Sequence, residues 1–134
     1  MNWTKIGMAG IAGGVVIWLL DFMAHGFMLA NTYTRYEIFN VSEAANPLMF
    51  LFVSICIAAA AAILFARTRE SWAAGAAGGA TYGFFIGLVG IFPFFYNPMV
   101  LNGFPYYLAW CWSGITMIDS VILGALLGVI YPRK

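Results

Sequence analysis

Four apolar stretches, each long enough to cross a bilayer, take up most of this chain: residues 6–30, 47–66, 72–95 and 105–131. A hydrocarbon core about 30 Å thick takes about 20 residues of helix. A run such as Ala58 through Phe65 is apolar on every side. Barrel strands instead alternate apolar and polar residues, so the stretches are predicted to be helices. Composition points the same way. Charged residues make up 8% and apolar residues 63% of the chain. That is too little charge to cover a water-soluble globule of this size, and the chain is too apolar to be disordered. A net charge of +1 lacks the clustered Lys and Arg needed to bind phosphate backbones, so no nucleic-acid partner is expected. The expected fold is all-α: one integral membrane domain over residues 1–134, built as a four-helix transmembrane bundle in contact with lipid.

The short connections carry lopsided charge. Lys5 precedes the first span, Arg67 and Arg69 lie between the second and third, and Arg133 and Lys134 follow the fourth. Only Arg35 falls on the other side. Under the positive-inside rule this places both termini in the cytoplasm of a cell inner membrane. Aromatic residues gather at the opposite boundary: Tyr33, Tyr36 and Phe39 in one loop, Phe94, Phe95, Tyr96, Phe104, Tyr106 and Tyr107 around the other. An interfacial belt explains them, as does an access groove for a lipid or quinone, or a docking surface. The first span is too long for a signal-peptide core and has no clear cleavage site, so it is expected to remain as a helix. Cys56 and Cys111 both fall inside spans and read as small apolar side chains, with a disulfide between them left open.

The segment Ala9-Gly10-Ile11-Ala12-Gly13-Gly14 nearly recurs 65 residues later as Ala74-Gly75-Ala76-Ala77-Gly78-Gly79. Two tandem helical hairpins would explain this, as would the general abundance of Ala and Gly in spans. Small residues also form stripes. Gly75, Gly79, Gly83 and Gly87 are each four apart, and such residues rotate only about 40° from one to the next. They predict a groove in the third span that a partner helix can approach closely. Gly7, Gly10 and Gly14 form a similar stripe in the first span. Ser54, Ala58 and Ala61 in the second and Ser113, Ser120, Gly124 and Gly128 in the fourth are matching small positions.

Asp21, His25 and Asp119 are the ionisable residues well inside spans. Charge at the centre of a membrane helix costs about 2.5–3.5 kcal/mol on insertion scales, so such residues face protein or water. On an ideal helix Asp21 and His25 fall within about 40° of each other and of the Gly7–Gly14 stripe, and they are four residues apart. Asp119 is expected within a turn or two of their depth, beside Thr116 and Ser120. The residues fit a structural polar knot, a proton or cation site, or an axial ligand position for haem or chlorin at His25. They supply few ligands for a metalloenzyme.

The string Asp21-Phe22-Met23-Ala24-His25-Gly26, followed by Tyr33 and Tyr36, resembles a group of small bacterial four-span membrane proteins of unknown function. The likeness implies the four-helix architecture and marks Asp21 and His25; Asp119 is no part of it. The sequence shows no nucleotide loop, catalytic triad or metal spacing. The leading expectation is a non-catalytic accessory or packing subunit, in a homo-oligomer or a larger membrane assembly. The alternative is a small proton- or ion-coupled carrier using Asp21, His25 and Asp119.

Overall fold

A computed structural model describes residues 2–39 and 46–132. Arg133 and Lys134, which entered the charge reading, lie outside the described residues. Four long helices carry the fold: α1 (Trp3–Met23), α3 (Pro47–Thr68), α4 (Gly75–Tyr96) and α5 (Tyr107–Ile130). A single turn, α2 (Ala30–Tyr33), lies between the first two. No strand occurs among the described residues, and the four long helices have the length and apolarity to span a membrane. This is the expected all-α four-helix bundle.

Local chemistry sets the helix starts. Asn2 caps α1 by accepting from the Lys5 N–H at 3.1 Å. Asn46 caps α3 by accepting from Leu48 and Met49, with Pro47 preset for the first helical position. Span three begins at Gly75 and not, as expected, at Trp72. Trp72 and Ala74 are extended, and Gly75 turns the chain into the helix at φ +72°, where a side chain would be strained.

α4 lies chiefly against α5, and α1 chiefly against α3. The two pairs join through α1 and α5, and Tyr82 of α4 bridges to α3, donating to the Ala61 carbonyl at 2.7 Å. The α4–α5 seam is the predicted groove, and the helix that fills it belongs to the same chain. A Cβ on Gly79 would overlap the Gly124 carbonyl oxygen, and one on Gly83 the Ser120 carbonyl oxygen. At Gly87 the neighbours are Met117 and Ser120. Gly75 is the exception: its Cβ direction is open, although its carbonyl oxygen crowds Gly128.

The first-span stripe needs correcting. Gly10 packs on Ala59 and Gly14 on the Ile55 backbone, both in α3. Gly7 is exposed and its Cβ would meet nothing. Gly13, Ile17 and Asp21, successive positions four apart, form a second stripe turned toward α5, where Gly13 meets Leu123. α1 therefore presents two neighbouring faces to two helices. The repeated hexapeptides do similar work, since Gly14 and Gly79 each press on the next long helix. The register differs by a turn, however. A shift of 65 residues would pair Gly79 with Ser120, and it meets Gly124 and Gly128 instead.

The basic end of the bundle is closed by Arg69. Sequence reading places it in the connection between the second and third spans, and it is only 7% exposed there. Its Nε donates to the Tyr131 carbonyl at 2.5 Å, and Nη1 donates to the carbonyls of Trp72 and Ala73. The guanidinium also stacks over the Phe65 ring. One side chain thus ties the end of α3, the start of α4 and the end of α5.

Candidate functional site

The face of α5 turned toward α1 and α2 carries Trp112, Asp119 and Leu123. Their spacing of seven and four residues keeps them on one side of a helix. Leu123 reaches α1 at Gly13. Asp119 stands one turn before Leu123 and Asp21 two turns beyond Gly13, and the two carboxyl groups face each other across the α1–α5 seam. Asp119 is buried, at 7% exposure. Thr116 and Ser120, expected beside it, lie on the α4 side of α5, next to Gly90 and Gly87. An ionised carboxylate only accepts hydrogen bonds, so a bond between two carboxyls requires a proton on one of them.

Beyond Asp21 the helix changes pitch. Ala24–Met28 is a π-helical turn, closed by the Leu29 N–H bonding to the Ala24 carbonyl at 2.9 Å. Such wide turns interrupt the regular rotation of a helix and recur at functional sites. His25 sits inside it. Its Nε2 lies 4.0 Å from Asp21 Oδ1. Its Nδ1 shares a hydrogen bond with the Tyr33 hydroxyl, which α2 carries back over the imidazole, and the two rings stack. Tyr33 in turn accepts from Trp112 Nε1 at 2.9 Å. Indole is only a donor, so the Tyr33 proton is free for His25 Nδ1. Nε2 then holds the imidazole N–H that faces Asp21. Burial pushes the Tyr33 phenol's pKa up, which keeps that proton in place.

The contacts therefore run in a ring, from Asp119 to Asp21, His25, Tyr33 and Trp112, and back along α5 to Asp119. Sequence reasoning names three of the five. It places Tyr33 among the outer-boundary aromatics, as part of a belt or a groove, and passes over Trp112. The seven-residue spacing of Trp112 and Asp119 was a usable signal; the π turn that brings Tyr33 onto His25 was not.

Part of the expected aromatic belt turns inward around this ring. Tyr33, Phe39, Phe104 and Phe94 pack edge to face with one another or with Trp112, at centroid separations of 5.0–6.2 Å. Tyr96, Tyr106 and Tyr107 stay exposed, as a belt requires. A cavity of about 260 Å³ adjoins the cluster, with Phe39, Phe94, Phe104, Trp112 and the Asn97 amide in its wall.

Of the His25 nitrogens, Nδ1 is taken by Tyr33, so an axial bond to a haem or chlorin metal through Nδ1 would displace Tyr33, while Nε2 lies 4.0 Å from Asp21, beyond hydrogen-bonding distance. No group of three His, Cys, Asp or Glu among the described residues has a metal-binding arrangement. Cys56 and Cys111 are free thiols. The Asp21 and His25 side chains are 42% and 36% exposed on the flank of the bundle. Comparison with family models, curated proteins and solved structures finds no match for this chain.

Proposed function

We propose that this small membrane protein is a proton carrier, in which the Asp21–Asp119 pair holds and releases a proton. The observation that carries the reading is the meeting of two carboxyls from different helices, with His25 in line beyond them. A merely structural contact would be served better by Asn or Ser. Two carboxyls attract when they share a proton and repel when both are ionised, and repulsion is strong where water is scarce. The α1–α5 seam is thus favourable in one protonation state and unfavourable in the other, which is what a switch needs. His25 and Tyr33 lead from the pair toward the aromatic end, where the cavity lies. The reading is non-catalytic. The basic end, with Lys5, Arg67 and Arg69, is assigned to the cytoplasm of an inner membrane by its charge.

Proteoliposomes loaded with a pH-sensitive dye test this. With a valinomycin-driven potassium potential, the protein should acidify the vesicle interior. Asp21→Asn and Asp119→Asn should each abolish the flux. Vesicles no more permeable to protons than protein-free ones would refute the carrier reading.

A second reading, an accessory subunit of a homo-oligomer or larger assembly, is favoured by the exposed flank of Asp21 and His25. Acyl chains cannot satisfy these groups, so either water or a neighbouring helix covers them. His25→Cys, in a background with Cys56 and Cys111 replaced by Ala, separates the two. Labelling by a membrane-impermeant maleimide indicates an aqueous path. Protection together with cross-linking to a second chain indicates assembly.

A further inference from the structure

Trp112 and Tyr33 come from different elements, α5 and α2, and meet beside His25 of the π turn. A phenol hydroxyl holds one proton and also accepts. Here the Trp112 indole N–H donates to it at 2.9 Å, and indole cannot accept. The hydroxyl's other partner among the described residues is His25 Nδ1, so its proton has one acceptor to point at. While it points there, Nδ1 holds no proton, and the imidazole N–H stays on Nε2, the nitrogen on the Asp21 side. A proton moves outward from His25 through Tyr33 only if Nδ1 donates to the phenol oxygen and the phenol turns its own proton elsewhere. The one other group at the hydroxyl is the Trp112 N–H, which cannot receive it. Trp112 is itself held in place. Its ring packs edge to face on Phe39, Phe94 and Phe104, at centroid separations of 5.3–6.2 Å, which leaves the indole little freedom to swing its N–H off Tyr33.

We propose that Trp112 is a positioning residue that latches the Tyr33 proton onto His25 Nδ1. It thereby fixes the imidazole in the tautomer with its hydrogen on Nε2 and holds the outward step of the path closed. Tyr33 is the relay and Trp112 the latch on it, so their removal acts in opposite senses. Without the hydroxyl the relay is lost; without the indole N–H the relay turns more freely. The effect on flux rests on the carrier reading, and the effect on the tautomer does not.

The chain has one histidine, so NMR of the full chain labelled with nitrogen-15 histidine, in mild detergent, reads this imidazole alone. In buffer alkaline enough to keep the ring neutral, Nδ1 should show the shift of an acceptor nitrogen and Nε2 that of a protonated one. Trp112→Phe keeps a ring among the three phenylalanines and removes the N–H. It should raise the share of the Nδ1–H tautomer about threefold, the worth of one hydrogen bond between membrane helices. In proteoliposomes it should speed proton flux by a similar factor, whereas Tyr33→Phe slows it. A residue that only fills space would lower stability when replaced and leave the tautomer where it was. A hydrogen on Nδ1 in the unaltered protein would overturn the latch, as would a tautomer ratio unmoved by Trp112→Phe or slower flux in that variant. The spectrum needs no flux, so vesicles that carry no protons count against the carrier reading alone. The unaltered protein's spectrum keeps the test open if the variant does not fold.

Discussion

α5 is gripped on two sides by different means. Toward α4 it offers Ser120, Gly124 and Gly128, and backbone meets backbone with no room for a methyl group. Toward α1 it offers Leu123, which packs on Gly13, and Asp119, which faces Asp21, while Trp112 donates to Tyr33 of α2; all but the Leu123 contact are made by side chains that carry protons. In lipid neither seam draws on a hydrophobic driving force, because the solvent is as apolar as the core. Close packing holds the first at a fixed distance. Under the proposed function the second depends on which groups are protonated, so it would be free to change while the first is not. The contrast assigns a rigid half and an adjustable seam to one small bundle.

The largest effect should come from breaking the rigid seam. Gly83→Ala places a Cβ against the Ser120 carbonyl oxygen. It should cost about 3 kcal/mol or more, seen as a collapse of folded yield and melting temperature in mild detergent. Unchanged melting would remove the α4–α5 grip. Gly75→Ala should cost less, about 1–2 kcal/mol, because its Cβ meets open space and only the positive φ is strained. Its helix should stay paired with α5 in cross-linking.

The adjustable seam should respond differently. Asp119→Asn keeps a hydrogen-bonding side chain opposite Asp21, so stability should change by only about 1 kcal/mol while proton flux disappears. A variant that flows normally would place the proton elsewhere. Tyr33→Phe removes the acceptor of Trp112 and the partner of His25. It should cost about 0.6 kcal/mol, slow the flux and shift Trp112 fluorescence to shorter wavelength. At the bottom of the scale, Gly7→Ala should change stability by less than about 0.5 kcal/mol, because Gly7 faces open space. A large loss there would restore the single first-span stripe that the structure divides.

The four spans were legible because the 20-residue length needed to cross lipid is written directly in hydropathy. Gly79, Gly83 and Gly87 were legible for a related reason, since a spacing of four needs only regular helix geometry to become a groove. The adjacency of Asp21 and His25 followed from the same geometry. What failed was whatever departed from it or depended on a neighbour's identity. The π turn at Ala24–Met28 rotates everything after it, so Tyr33 could not be placed on His25 by counting. Sequence spacing also could not say that α1 touches two helices, and so it merged Gly7, Gly10 and Asp21 into one face. Arg69 counted correctly as a charge on the basic end, yet its burial depends on carbonyls from Trp72, Ala73 and Tyr131, which only the folded chain brings together.

The most direct test of a shared proton between α1 and α5 is infrared difference spectroscopy of the reconstituted protein across a pH titration. A protonated carboxylic acid absorbs apart from carboxylate and amide. The expected result is one such band at neutral pH, lost or shifted in both Asp21→Asn and Asp119→Asn, and sensitive to deuterium exchange. Absence of the band at neutral pH, or a band indifferent to both substitutions, would contradict the shared proton and leave Asp21 and Asp119 as packing residues.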